Sequence, residues 1–284
     1  MHRKLSCCLA AALLLALLAG CGDPSAAQTD SPNPSPSAAD AVPVLATPKP
    51  TPEPASESTL PPWPVYEFGV PVEESEPVAD DSFFDNAVFL GDSRTEGLEL
   101  FGGLKYGVFY WARGMTVFRA DDEEYKVFSI DSEDLTLLGA LSKKSYDAVY
   151  IMIGVNELGY PAESYETGLS KLVDKVIEVQ PEAVVYLQIM PPMNDAICRA
   201  NNLAGYINND NLRKFNEAIR RVAAEKKVAL LNTAEAYTGE DGQLPKELAH
   251  DGCHFVYTAY GLWANYLRNH TIDRERYFYS REQT

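Results

Sequence analysis

The chain of 284 residues carries 24 Lys and Arg against 41 Asp and Glu, a formal net charge of −17, and 5 cysteines. Such a charge excludes a basic footprint for nucleic acid and a polybasic patch for anionic lipid, so any membrane attachment must come from another device. So few cysteines over this length do not make a disulfide-rich scaffold, and no internal repeat is visible.

The first element is a basic stretch, His2-Arg3-Lys4, followed by an apolar run from Leu9 to Leu18 and the small-residue sequence Leu18-Ala19-Gly20-Cys21. A run of about ten apolar residues is half of what a membrane-crossing helix needs, so residues 1–20 read as an export signal. The Leu-Ala-Gly-Cys ending resembles the bacterial lipoprotein signal. That resemblance implies a diacylglycerol on Cys21 and a protein exported and lipid-anchored to the outer face of the bacterial cytoplasmic membrane. An ordinary signal peptide with an incidental cysteine is the alternative.

Residues 21–79 are dominated by Pro, Ser, Thr, Ala and acidic side chains. They bury too little apolar area to offset their ordering entropy and are expected to form a disordered spacer. Within it, Pro61 to Val72 holds Trp63, Tyr66 and Phe68 and is the part able to dock onto a domain at 80–284.

In that domain, apolar runs of strand length recur at Ala87–Gly91, Tyr106–Trp111, Ala148–Ile153, Val184–Met190 and Val228–Leu231. None alternates strictly, as expected of strands buried on both faces of a parallel sheet. Helical patterns separate the later runs, the clearest at Ala162–Val179 and Asn211–Lys227, with a last helix at Thr258–Arg268. Alternating strands and helices predict a three-layer α/β/α domain, with its ligand site beyond the carboxyl ends of the strands.

The chemistry-bearing residues fall at those ends. Gly91-Asp92-Ser93-Arg94 follows the first strand and opens a helix expected near Thr95, so Ser93 can present its hydroxyl on a tight turn. The competing reading is that Asp92 or Ser93 merely caps the helix. Asp251-Gly252-Cys253-His254 precedes the last helix, and a carboxylate three residues before a histidine can fold back to take its Nδ1 proton. Asn156, in Gly154-Val155-Asn156-Glu157 after the third strand, could donate an amide to an oxyanion; Gly114, after the second strand, could donate a backbone N–H. Each of the last two is equally an ordinary turn residue.

Together these four blocks, in this order, resemble the SGNH (GDSL-like) hydrolase family across essentially the whole domain. The resemblance implies a flavodoxin-like fold with a five-stranded parallel sheet. It also implies a Ser93–His254–Asp251 mechanism on esters, with Ser93 N–H, Gly114 N–H and Asn156 Nδ2 as oxyanion donors. Two departures stand out: Arg94, where many relatives carry an apolar residue, is expected to shape substrate choice, and Glu157 stands where Asp is frequent.

Other chemistries are open at this point. Cys253 beside His254 invites a cysteine nucleophile, and His250, Asp251, Cys253 and His254 form a compact group that only Cys198 could extend into a metal site. No cofactor motif is visible, and no metal is expected. Cys198 and Cys253 are the only thiols of the domain, and export permits a disulfide between them. A tethered esterase on a cell surface has acetylated glycans within reach, and Trp111, Tyr160 and Tyr206 could stack on sugars. The expected substrate is therefore a short acyl, foremost acetyl, ester of a carbohydrate or cell-wall glycan. The alternatives are an O-acyltransferase, supplied by a separate membrane acyltransferase partner, and a non-catalytic glycan-binding lipoprotein.

Overall fold

The computed structural model describes residues 64–284; the signal at 1–20, the lipid site at Cys21 and the spacer up to residue 63 lie outside the described residues. In chain order the elements are β1 (Ala87–Gly91), α1 (Ser93–Phe101), β2 (Val108–Trp111), a hairpin of β3 (Phe128–Ile130) and β4 (Glu133–Leu135), α2 (Leu137–Leu141), β5 (Ala148–Met152), α3 (Ala162–Val179), β6 (Val184–Gln188), α4 (Asp195–Ala200), α5 (Asn209–Lys226), β7 (Ala229–Leu231), α6 (Tyr260–Asn269) and α7 (Arg274–Gln283).

Five strands form one parallel sheet in the order β2-β1-β5-β6-β7. Every residue of β1, β5, β6 and β7 is buried, which is why their sequences run apolar without alternation. The chain leaves β1 for the edge strand β2 and then crosses back to β5 on the other side. Right-handed crossovers put α1 on one face and α2, α3 and α5 on the other, and α6 returns to pack against α1. This is the expected flavodoxin-like α/β arrangement, and the reversal of strand order between β1 and β5 opens the crevice where ligands sit.

A ladder of aromatic rings ties the strands. Phe109, Phe89, Tyr150 and Tyr186 occupy successive register positions and stack with centroids 4.6, 4.8 and 4.5 Å apart. Each pair adds about 0.5–1.5 kcal/mol beyond area burial. At the head of β1 the chain turns sharply into α1, and a Cβ on Gly91 would lie 1.8 Å from Thr95 Oγ1. Only glycine lets the first turn of α1 come this close to the strand.

Residues 64–79, expected within the spacer, belong instead to the packed unit. Val72 N–H donates to Leu230 O (2.8 Å), Tyr66 N–H to Ser280 Oγ (2.7 Å) and Ala79 N–H to Arg268 O (3.0 Å). Tyr66 is 5% exposed, and its hydroxyl accepts the Leu230 N–H. The segment acts as a strap along β7, giving partners to backbone groups that an open edge would leave unpaired. The physical reason is the trio Tyr66, Phe68 and Val72, whose apolar area outweighs a polar, proline-rich composition.

The strap predicts that a chain beginning at residue 80 melts well below one beginning at residue 64, and that Tyr66→Ala costs about 3 kcal/mol. Thermal and urea melts of the three proteins check this. Equal stabilities would show that the strap does not contribute.

Candidate active site

Asp92 caps α1. Its Oδ1 accepts the Arg94 N–H at 2.9 Å, and its carboxylate is 1% exposed. Capping is thus done one residue ahead of Ser93, which becomes the first residue of α1 with a free side chain. Helix termini leave their first N–H groups without intrahelical partners, so the dipole and the Ser93 N–H both face the site.

Ser93 Oγ lies 2.8 Å from His254 Nε2, and His254 Nδ1 lies 2.8 Å from Asp251 Oδ2. The other carboxylate oxygen, Asp251 Oδ1, accepts the N–H groups of Cys253 (2.9 Å) and His254 (2.7 Å). A carboxylate on Nδ1 holds that proton there and leaves Nε2 to accept from serine. The loop folds this way because Gly252 adopts φ +97°, where a Cβ would also press 2.4 Å from Cys198 N. Burial pulls the Asp251 carboxyl upward, but the hydrogen bonds from His254 and Cys253 outweigh it and hold the group well below the usual carboxylate range. It is charged throughout the neutral range.

Asn156 sits in the turn after β5. Its amide donates to Met115 O (3.0 Å) and reaches Asp92 Oδ2 at 3.5 Å, so one N–H anchors the loop after β2 and the other is only weakly engaged. Gly114, on that anchored loop at φ +77°, has a backbone N–H with no partner among the described residues. The Asn156 amide thus joins the turn after β5 to the loop after β2 at Met115 and to Asp92, the residue before Ser93, at the end of β1.

Glu157, which stands where Asp is frequent, has a structural part in the same loop. The side chain is fully buried, its Oε1 accepts the Val117 N–H at 2.6 Å, and its Oε2 has no partner. It clasps the same loop that Asn156 holds at Met115. Burial first, and the neighbouring Asp92 charge second, push its carboxyl up to about 8. A non-alternating apolar run ending in Asn-Glu was the only available signal, and it does not say which way the Glu157 side chain turns.

Arg94 does not face the site, contrary to its expected part in substrate choice. It is 1% exposed and turned beneath the loop that carries His254. Cys198 and Cys253 are buried and unbonded. Burial lifts the Cys198 thiol to about 11 and pushes Cys253 up as well, and both ring nitrogens of His254 are already taken by Ser93 and Asp251. A thiol nucleophile has no base here. Among the described residues, no three His, Cys, Asp or Glu side chains are grouped to hold a metal ion. Of the aromatics, Trp111 bonds Glu99 through its indole N–H. Tyr160 is exposed beside Phe118, with ring centroids 5.5 Å apart, and Tyr206 lies exposed over Gly159.

Glu157 makes the stability of the fold depend on pH. Its folded value near 8 lies above the ordinary 4.5, so the folded protein keeps a proton that the unfolded chain releases. Its contribution is fully present below about 4.5 and is lost as the pH rises through about 8. Glu157→Gln should flatten the fall in melting temperature over that window. An unchanged slope would show that the fall comes from other groups.

Comparison with known proteins places the chain in a family. The family model of the GDSL-like lipase/acylhydrolase family matches residues 89–262. No curated protein matches by sequence. Among solved structures, a Streptococcus pneumonia protein provisionally named a platelet activating factor is 24% identical, with a TM-score of 0.52 over 65% of this chain and 82% of its own. A provisionally named GDSL-like lipase from Parabacteroides merdae is 18% identical, with a TM-score of 0.50 over 64% of this chain and 94% of its own. These likenesses speak for the fold, whereas the family match spans more than half of the sequence and contains every residue brought together around Ser93. The chain belongs to the GDSL-like lipase/acylhydrolase family of esterases.

Proposed function

We propose that this acylhydrolase removes short acyl groups, acetyl foremost, from carbohydrate esters by a double displacement on Ser93. One observation carries the reading: the unbroken line from Ser93 Oγ through His254 to Asp251, with both hydrogen bonds at 2.8 Å. His254 Nε2 takes the hydroxyl proton as Oγ attacks the ester carbonyl, and Asp251 stabilises the imidazolium that forms. The oxyanion accepts from Ser93 N–H, Gly114 N–H and the weakly engaged N–H of Asn156. Collapse expels the alcohol, which takes its proton from His254; water then repeats the sequence and releases the acid.

Tyr160 and Tyr206 are exposed on loops at the carboxyl ends of the strands, and aromatic faces of this kind suit the apolar face of a sugar ring. The export signal and Cys21 favour a lipid-anchored protein on the outer face of the cytoplasmic membrane, where acylated glycans are at hand. The net charge gives no competing reason for surface attachment.

Ser93→Ala should lower kcat for p-nitrophenyl acetate by roughly 10⁴ or more, since no acyl-enzyme forms. Acetylated glycans incubated with the wild type should release free acetate that the Ser93→Ala protein does not. Acetyl groups appearing mainly on an added glycan acceptor would instead establish a transferase. Binding of glycan without turnover, unaffected by Ser93→Ala, would establish a non-catalytic lipoprotein.

Asn156→Ala should lower kcat by about 10²–10³ with a near-wild-type melting temperature. Full activity per folded molecule in a destabilised variant would make Asn156 a loop anchor only.

A further inference from the structure

Arg94 is among the largest fully buried side chains, and among the described residues no carboxylate lies within ion-pair distance of its guanidinium. A buried cation without a carboxylate partner is costly unless its N–H groups are well received. Here backbone carbonyls receive them. Nε and Nη2 both donate to Cys253 O, at 3.1 and 2.8 Å, and Nη1 donates to Pro191 O at 3.2 Å. Nη2 also lies 3.7 Å from Cys253 Sγ, and the guanidinium sits 5.4 Å from the Phe255 ring centroid.

The gripped carbonyl has a particular place in the site. Cys253 C=O and His254 N–H belong to one peptide plane. Its oxygen takes two bonds from Arg94, and its N–H donates to Asp251 Oδ1 at 2.7 Å. Asp251 Oδ2 in turn holds His254 Nδ1. A planar peptide pinned at both ends has no rotation left, and hydrogen bonds in series polarise one another. Arg94 is also the residue after Ser93, on the rigid first turn of α1. The fork therefore links the element that carries the hydroxyl to the loop that carries the imidazole, and Pro191 O adds the loop after β6.

We propose that Arg94 is a positioning residue: its guanidinium fork holds the Cys253–His254 peptide so that the imidazole stays in register with Ser93 Oγ. This rests on the reading of Ser93, His254 and Asp251 as the reacting groups. Lysine does not replace it, because one ammonium on a flexible stem cannot fork onto Cys253 O while also reaching Pro191 O. The side chain acts through the loop and touches no substrate, so its loss should reduce kcat and leave KM nearly unchanged.

The test uses Arg94→Lys, which keeps the charge and folds most readily, and Arg94→Met, which keeps the apolar stem. For both, kcat on p-nitrophenyl acetate should fall by about 10²-fold with KM within about twofold, the size of effect produced by misplacing a reacting group by about 1 Å. Hydrogen–deuterium exchange of peptides covering 249–256 should quicken about tenfold, while those of β5 and α3 stay as in the wild type. Wild-type kcat in either variant, or unchanged exchange at 249–256, overturns the proposal. So does uniformly faster exchange across the domain, which would mark a packing role. Failure of the underlying esterase reading appears in a different protein: Ser93→Ala would then hydrolyse the ester as fast as wild type.

Discussion

The Asp92 carboxylate, buried at the end of β1, takes the Arg94 N–H and closes the first turn of α1. Cap and candidate nucleophile are adjacent in sequence but divided in task, and the rest of the site follows from that division. Because the cap is supplied one residue earlier, Ser93 keeps a free hydroxyl on a helix N-terminus. Because Gly91 allows the helix to start against the strand, that hydroxyl stands at the crevice between β1 and β5 rather than out on a loop. The Asn156 amide, coming from the far side of the same crevice, reaches the other oxygen of Asp92.

Charge in this small volume is distributed with little freedom. Asp92 and Glu157 are both buried, and burial raises both carboxyls. Two neighbouring carboxylates in a dry site do not both ionise readily. Burial dominates at Asp92, with Arg94 opposing it, and Glu157, pushed up to about 8, keeps its proton at neutral pH. A neutral Glu157 can accept from Val117 N–H without setting a full negative charge beside the place where an oxyanion would form. Asp251 is the opposite case, half-exposed and supplied with three hydrogen bonds, and it remains ionised.

Much of this was legible in the sequence because a parallel sheet buried on both faces writes itself as uninterrupted apolar runs, and its functional residues must follow them. Ser93 and Asn156 stand out as candidates in that way, Asp251 and His254 by their three-residue spacing ahead of the last helix, and helix α3 was bounded correctly by its periodicity. What escaped was set by tertiary context. The α5 helix begins at Asn209 because Asn208 caps it, two residues ahead of the apolar pattern. The strap from residue 64 looks like linker by composition, and only its contact with β7 reveals the few apolar side chains that decide its fate. Arg94 is the plainest case: an arginine next to a reactive serine reads as a substrate contact, since arginines are seldom fully buried. Nothing in its neighbours tells that Cys253 and Pro191, nearly 100 residues or more away, turn their carbonyls toward it.

The central claim is that Ser93 forms the covalent bond while three N–H groups receive the developing charge. A crystal structure of the protein after reaction with a small fluorophosphonate tests it most directly. The account predicts phosphorus bonded to Ser93 Oγ, with the phosphoryl oxygen within about 3 Å of the Ser93 and Gly114 backbone nitrogens and of Asn156 Nδ2. Phosphorus on any other residue, or a phosphoryl oxygen directed away from these donors, would contradict it.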